Sequence, residues 1–154
     1  LVSKAIKKYA NNLYLINTSV CRSASEQLAI LKNDPKSFGD IEKILNIAEE
    51  FIEEVRNSSE LDLIIEKLDY YIGLSWEIKR NMKGVMNSQL NEIQELLKAK
   101  GFNVIKILGS GGGGYFLAKY NGINIEKSTK ELIKKNIYIN RVEIDNDGCE
   151  SWII

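Results

Sequence analysis

Five of the chain's 11 glycines fall in the six positions Gly109-Ser110-Gly111-Gly112-Gly113-Gly114. Without Cβ atoms, successive backbone N–H groups can converge on one anion, and phosphate is the anion such loops suit. Glycine loses more backbone entropy on folding than any other residue, so a plain turn has little use for five of them. A tight bend packed against a neighbouring element is the alternative reading. Three cations are candidates to work with the loop. Lys106 stands just before it; Lys79 follows Trp76 by three residues, on the same helical face; and Arg22 carries a guanidinium suited to clamping a phosphate or sugar group. The plainer alternatives are a solvated helix face for Lys79, an exposed strand position for Lys106 and an ordinary surface arginine for Arg22.

Known phosphate loops narrow the chemistry. A Walker A loop ends in Gly-Lys-Ser or Gly-Lys-Thr, whereas Gly114 is followed by Tyr115-Phe116. The match Gly109-x-Gly111-x-x-Gly114 fits the dinucleotide fingerprint, but that motif opens a helix and the aromatic run after Gly114 reads as a strand. A protein-kinase glycine loop does lie between strands, yet the chain has no His-Arg-Asp or Asp-Phe-Gly sequence.

Composition excludes further mechanisms. The 154 residues contain no histidine, so Ser-His-Asp and Cys-His nucleophilic sites, histidine-bearing zinc sites and imidazole acid-base chemistry are impossible from this chain alone. Lysine and arginine balance aspartate and glutamate at 21 each, which argues against broad electrostatic binding of nucleic acid. Cys21 and Cys149 are expected to be reduced thiols, and no metal site is expected. No apolar run approaches the roughly 20 residues that cross a bilayer, so a soluble, cytoplasmic protein is expected.

The elements that must position these residues follow from periodicity. Leu1–Ala10 reads as a helix and Asn12–Thr18 as a buried strand. Ser23-Ala24-Ser25-Glu26 has the capping-box pattern for a helix to about Lys32, ended by Asp34-Pro35. Apolar residues at Ile41, Ile44, Leu45, Ala48, Phe51, Ile52 and Val55 mark one face of a long helix. A second, recapped at Ser58-Ser59, carries Leu61, Ile64, Ile65, Leu68, Ile72 and Trp76. Asn87 or Ser88 caps a third, and Gly101 suits its left-handed C-terminal cap. Phe102–Leu108 and Tyr115–Tyr120 read as strands flanking the glycine loop, with a turn at Asn121-Gly122. Ser128-x-x-Glu131 predicts a short helix to about Lys135. Strands at Ile137–Ile144 and Cys149–Ile154, joined by a turn at Asp145-Asn146-Asp147-Gly148, close the chain. Strands on both sides of a helical block, joined by hairpins, indicate an α+β fold with a mostly antiparallel sheet.

Lys106-Ile107-Leu108-Gly109-Ser110-Gly111-Gly112-Gly113-Gly114-Tyr115-Phe116-Leu117 resembles the C-terminal glycine-rich motif of the GHMP kinases, the galactokinase, homoserine, mevalonate and phosphomevalonate kinase superfamily. Leu13-Tyr14-Leu15, running into Thr18-x-x-x-Arg22-Ser23-Ala24-Ser25-Glu26, resembles a segment of the sugar-kinase branch that includes the heptose 7-phosphate kinases. Ile72-Gly73-x-x-Trp76-Glu77-x-Lys79-Arg80 resembles a later segment of that branch, and Val142 to Gly148 its final strand and turn. Ser19 departs from the glycine usual there, and Val104-Ile105 from glycines before the lysine.

The resemblance implies that residues 1–154 form a ferredoxin-like C-terminal domain. It implies a role beside ATP and magnesium, with Gly109, Ser110, Gly111, Gly112, Gly113 and Gly114 near the nucleotide phosphates and Arg22 and Lys79 toward a sugar or sugar-phosphate acceptor. An N-terminal domain, absent from this chain, would hold the magnesium ligands and the catalytic carboxylate, leaving no catalytic residue here and an isolated fragment without activity. The alternative is a free-standing α+β module that binds a small metabolite or a protein partner.

Overall fold

A computed structural model describes residues 1–21 and 23–145. Arg22, the expected strand from Cys149 to Ile154 and most of the turn before it lie outside the described residues. Among the described residues the order is α1 (Val2–Ala10), β1 (Leu13–Asn17), α2 (Ala24–Lys32), α3 (Ser37–Arg56), α4 (Leu61–Asn81), α5 (Ser88–Ala99), β2 (Phe102–Ile107), β3 (Tyr115–Tyr120), α6 (Ile125–Ile133) and β4 (Tyr138–Arg141). The strands form one antiparallel sheet in the order β2-β3-β1-β4. From β1 onward this is the β-α-β-β-α-β plan of a ferredoxin-like layer, with α2 to α5 filling the first crossover. The expected α+β class is the observed one.

Alternation along the strands divides the core. Ile16 lies opposite Phe116, and Tyr14 opposite Ala118, on a face that packs against Leu90, Ile93 and Leu97 of α5 and Leu132 of α6. Leu13 and Leu117 point the other way, toward Tyr9 and Ala10 of α1 and Ile65, Leu68 and Ile72 of α4. α3 lies outside α4, joined to it and to α1 through Ala5, Val55 and Ile64. Phe102 and Phe116 are almost fully buried. Removing one such side chain from water stabilises the fold by about 2 kcal/mol.

Element ends depart from the sequence reading in informative ways. Ser23 is the N-cap of α2, but its hydroxyl makes no capping bond and lies 2.6 Å from that of Ser25. Ser128 caps nothing: it sits inside α6 and donates to the Lys100 carbonyl, while Asn124 caps that helix by accepting from the Lys127 N–H. Glu60, not Ser58 or Ser59, precedes α4, without a side-chain cap. α3 starts at Ser37, four residues before its apolar stripe, on a turn in which the Ser37 N–H donates to the Asp34 carbonyl. Asn87 does cap α5, accepting from the Leu90 N–H at 2.9 Å, and Gly101 takes the left-handed φ of 86° expected of it. β4 ends at Arg141 rather than Ile144.

Candidate functional site

The glycine loop occupies residues 108–114 between β2 and β3, closed by the Leu108 N–H donating to the Tyr115 carbonyl. It is bound to two segments distant in sequence. The Gly112 N–H donates to the Val85 carbonyl at 2.8 Å, and the Gly114 N–H to the Val20 carbonyl at 2.9 Å. The Gly114 carbonyl accepts from both the N–H and the hydroxyl of Thr18, and the Gly112 carbonyl from the Asn87 side chain. Asn87 thus caps α5 with its oxygen and holds the loop with its nitrogen.

Close approach explains the glycines in the middle of the run. A Cβ on Gly113 would lie 2.3 Å from the Val20 carbonyl oxygen, and one on Gly111 would lie 2.9 Å from Val85 Cα, at a φ of 93°. Residues 111–113 are buried by these contacts, whereas Gly109 and Gly114 are exposed and Ser110 half-buried. The amides of Gly109 and Ser110 carry no hydrogen bond among the described residues. The run therefore divides into a packed part, Gly111 to Gly113, followed by the exposed but hydrogen-bonded Gly114, and an open turn, Gly109-Ser110, whose N–H groups are available to an anion.

Two lysines stand by the open turn. Lys79, near the end of α4, donates to the Gly109 carbonyl at 2.6 Å and to the Ile107 carbonyl at 3.3 Å, tying helix to loop. Burial, and then the charge of Lys106, hold its ammonium below the usual lysine range. Lys106 comes to this side through a β-bulge. Between Val104 and Lys106 the pairing with β3 slips by one residue, at Ile105. Phe102, Val104 and Ile107 pack in the main core and Ile105 in the cluster under α1 and α4. Without the extra residue, Lys106 would share the face of Phe102 and Val104.

Beside this polar end runs a cleft of about 470 Å³ between α3 and α4. Ile41, Ile44, Ile47 and Phe51 line one wall and Leu68, Ile72 and Trp76 the other, with Lys79, Lys106, Gly109 and Ser110 at one end. Trp76 is buried, as its place on the helical stripe predicts; Tyr71 is buried against Phe51, but Tyr70, also expected to pack, is mostly exposed.

Of the residues singled out in the sequence, the structure brings Lys79, Lys106, Gly109 and Ser110 together. Arg22 lies outside the described residues. Sequence reasoning missed the partners that shape the loop, Thr18, Val20, Val85 and Asn87. Asn87 was legible only as a cap, and the two valines act through carbonyls, which no side chain advertises. Among the described residues no three Cys, Asp or Glu side chains group as metal ligands, and no helix is long and apolar enough to cross a membrane.

No protein-family model matches the chain, and no curated protein sequence does. Solved structures do match. The mevalonate kinase of Methanococcus jannaschii aligns over 86% of this chain with a TM-score of 0.57 and 17% sequence identity. The chain spans 40% of the length of that kinase. At this identity the likeness is one of fold: among the described residues, six helices and a four-stranded antiparallel sheet, resembling a GHMP kinase C-terminal domain.

Proposed function

We propose that this chain is the C-terminal domain of an ATP-dependent small-molecule kinase and that Gly109-Ser110 faces the nucleotide phosphates. One observation carries the reading: in a fold like that of mevalonate kinase, a glycine loop presents two unused backbone N–H groups beside two lysines. Phosphoryl transfer depends on positioning and on neutralising charge spread over phosphate oxygens, and backbone dipoles with ammonium groups serve both needs without histidine. ATP fits this donor set, since N–H and NH3⁺ groups are what a polyphosphate accepts from. Magnesium would come with the nucleotide and be held by carboxylates of another domain. The sequence resemblance to the sugar-kinase branch makes a sugar or sugar phosphate the acceptor to test first.

The test has two parts. Amide resonances of the 154-residue chain are followed as a non-hydrolysable ATP analogue is added; Gly109, Ser110 and Gly111 are expected to shift most. ATP consumption by the whole protein is then screened against heptose phosphates, fucose, galactose and mevalonate. Turnover with one of them is expected to fall when Gly109→Ala is introduced. No nucleotide-dependent shift and no consumption with any acceptor would reject the kinase reading. The apolar cleft favours a second reading, a ligand-binding module without phosphoryl transfer, which predicts ligand binding with no ATP consumption.

A further inference from the structure

The cleft between α3 and α4 has a composition that its neighbourhood to the glycine loop does not require. Its length is apolar, walled by Ile41, Ile44, Phe51, Leu68 and Ile72. Its polar end offers chiefly donors. Lys106 has no hydrogen bond or ion pair among the described residues, and Lys79 bonds only to main-chain carbonyls. Trp76, which lines the cleft and is 4% exposed, has an indole N–H without a partner. Lys79 keeps a partly buried charge with no anion beside it, and the buried indole N–H has nothing to donate to; both are costly unless an acceptor completes them.

We infer that this cleft binds an amphipathic anion, an aliphatic chain ending in a phosphate monoester, with the chain between α3 and α4 and the head group at Lys79 and Lys106. A wholly polar ligand is disfavoured because its hydroxyls would be desolvated against side chains that offer no partners. A neutral apolar ligand would leave both ammonium charges uncompensated. The head group follows from charge: a phosphate monoester carries about −1.5 to −2 near neutral pH, which matches two lysines as a carboxylate does not. Lys79 already directs protons at two carbonyls, so Lys106 makes the closer contact and Lys79 adds its charge. Burial and Lys106 already depress the Lys79 ammonium, and a bound dianion would relieve that. The site needs no nucleotide, so it does not rest on the kinase reading, although its head group would compete with a nucleotide phosphate for the same two lysines.

Calorimetric titration of the 154-residue chain with octyl phosphate, octanoate, octanol and inorganic phosphate, below any micelle concentration, tests this. Octyl phosphate is expected to bind at least about tenfold more tightly than each of the other three, since only it satisfies both ends of the site. Lys106→Met should weaken octyl phosphate by about tenfold while leaving octanol unchanged, the remainder of the phosphate preference resting on Lys79. Ala48→Trp, placed in the cleft from an exposed helix position, should weaken octyl phosphate and octanol together; thermal melts confirm that both variants fold. Octanol binding as tightly as octyl phosphate would remove the lysines from the proposal. Inorganic phosphate binding as tightly would remove the cleft, and octanoate binding as tightly would overturn the dianion. No octyl phosphate binding, with the ATP analogue still shifting the loop amides, would overturn this site and leave the kinase reading intact.

Discussion

Single residues in the loop separate structural from chemical roles. Gly113→Ala forces a Cβ to 2.3 Å from a carbonyl oxygen that also accepts from Gly114. Relief requires moving backbone, so a loss of about 1–3 kcal/mol is expected in urea unfolding. Gly109 is different. Nothing lies within 4 Å of its Cβ position, so Gly109→Ala meets only the strain of its φ of 69°, about 1 kcal/mol, and should fold normally. Equal losses at the two positions would contradict the division into a packed part and an open turn. Ser19 tells a related story. It stands where the sequence resemblance has glycine, and its φ of 54° is a conformation that favours glycine. The serine is retained there with its N–H donating to Asn17 Oδ1 and its hydroxyl to the Asn136 carbonyl. That the loop would be glycine-rich for access was legible in the sequence. That Gly111 makes room for Val85 and Gly113 for Val20 was not, because these contacts join segments distant in sequence and the tightest of them is to a main-chain carbonyl.

Helix ends and a strand irregularity place the site at the next scale. Asn87 serves both α5 and the loop, so Asn87→Ala is expected to cost about 2 kcal/mol, a cap of about 1 plus a loop hydrogen bond of about 1. Asn124→Ala, which removes a cap alone, should cost about 1 kcal/mol in the same unfolding experiment. A cost no larger at Asn87 than at Asn124 would show that the bond to Gly112 adds nothing. Asparagine caps proved more faithful than serine patterns. The Ser23 hydroxyl meets Ser25, and that of Ser128 the Lys100 carbonyl, because a hydroxyl near a helix start has several partners of similar worth. The bulge at Ile105 leaves a trace in the sequence that a single-strand reading of Phe102–Leu108 passes over. Apolar residues alternate at Phe102 and Val104 about Asn103, then shift phase by one to Ile105 and Ile107 about Lys106. That slip turns Lys106 toward the cleft, so a cation identified from sequence acquired its place only with the pairing.

For the molecule as a whole, acid should loosen the fold in part through two surface pairs. The hydrogen bond from Lys100 holds the Glu131 carboxyl below its ordinary range, and that from Lys67 does the same for Glu54. Carboxyls lowered by folding bind fewer protons folded than unfolded, so their contribution is complete above the ordinary glutamate value near ~4.3 and is lost as pH falls through the folded value. Both pairs are exposed to solvent, so the effect is small. The melting temperature should change little from pH 7 to about 5 and fall below that, with a shallower acid limb in Glu131→Gln; identical limbs would exclude the pair. The α+β class and the order of the described elements were readable from periodicity and turn residues, while the β2-β3-β1-β4 order needed the pairing itself. The two anchors of the glycine loop carry a consequence in time. Residues 18–20, 82–87 and 108–114 meet only after the first crossover, α2 through α5, has been laid down, so the loop closes late in folding and opens as one with its distant partners. In hydrogen exchange, the Gly112 and Gly114 amides should therefore exchange as slowly as the central strand β1, while Gly109 and Ser110, a few residues away, exchange as if the chain there were unfolded.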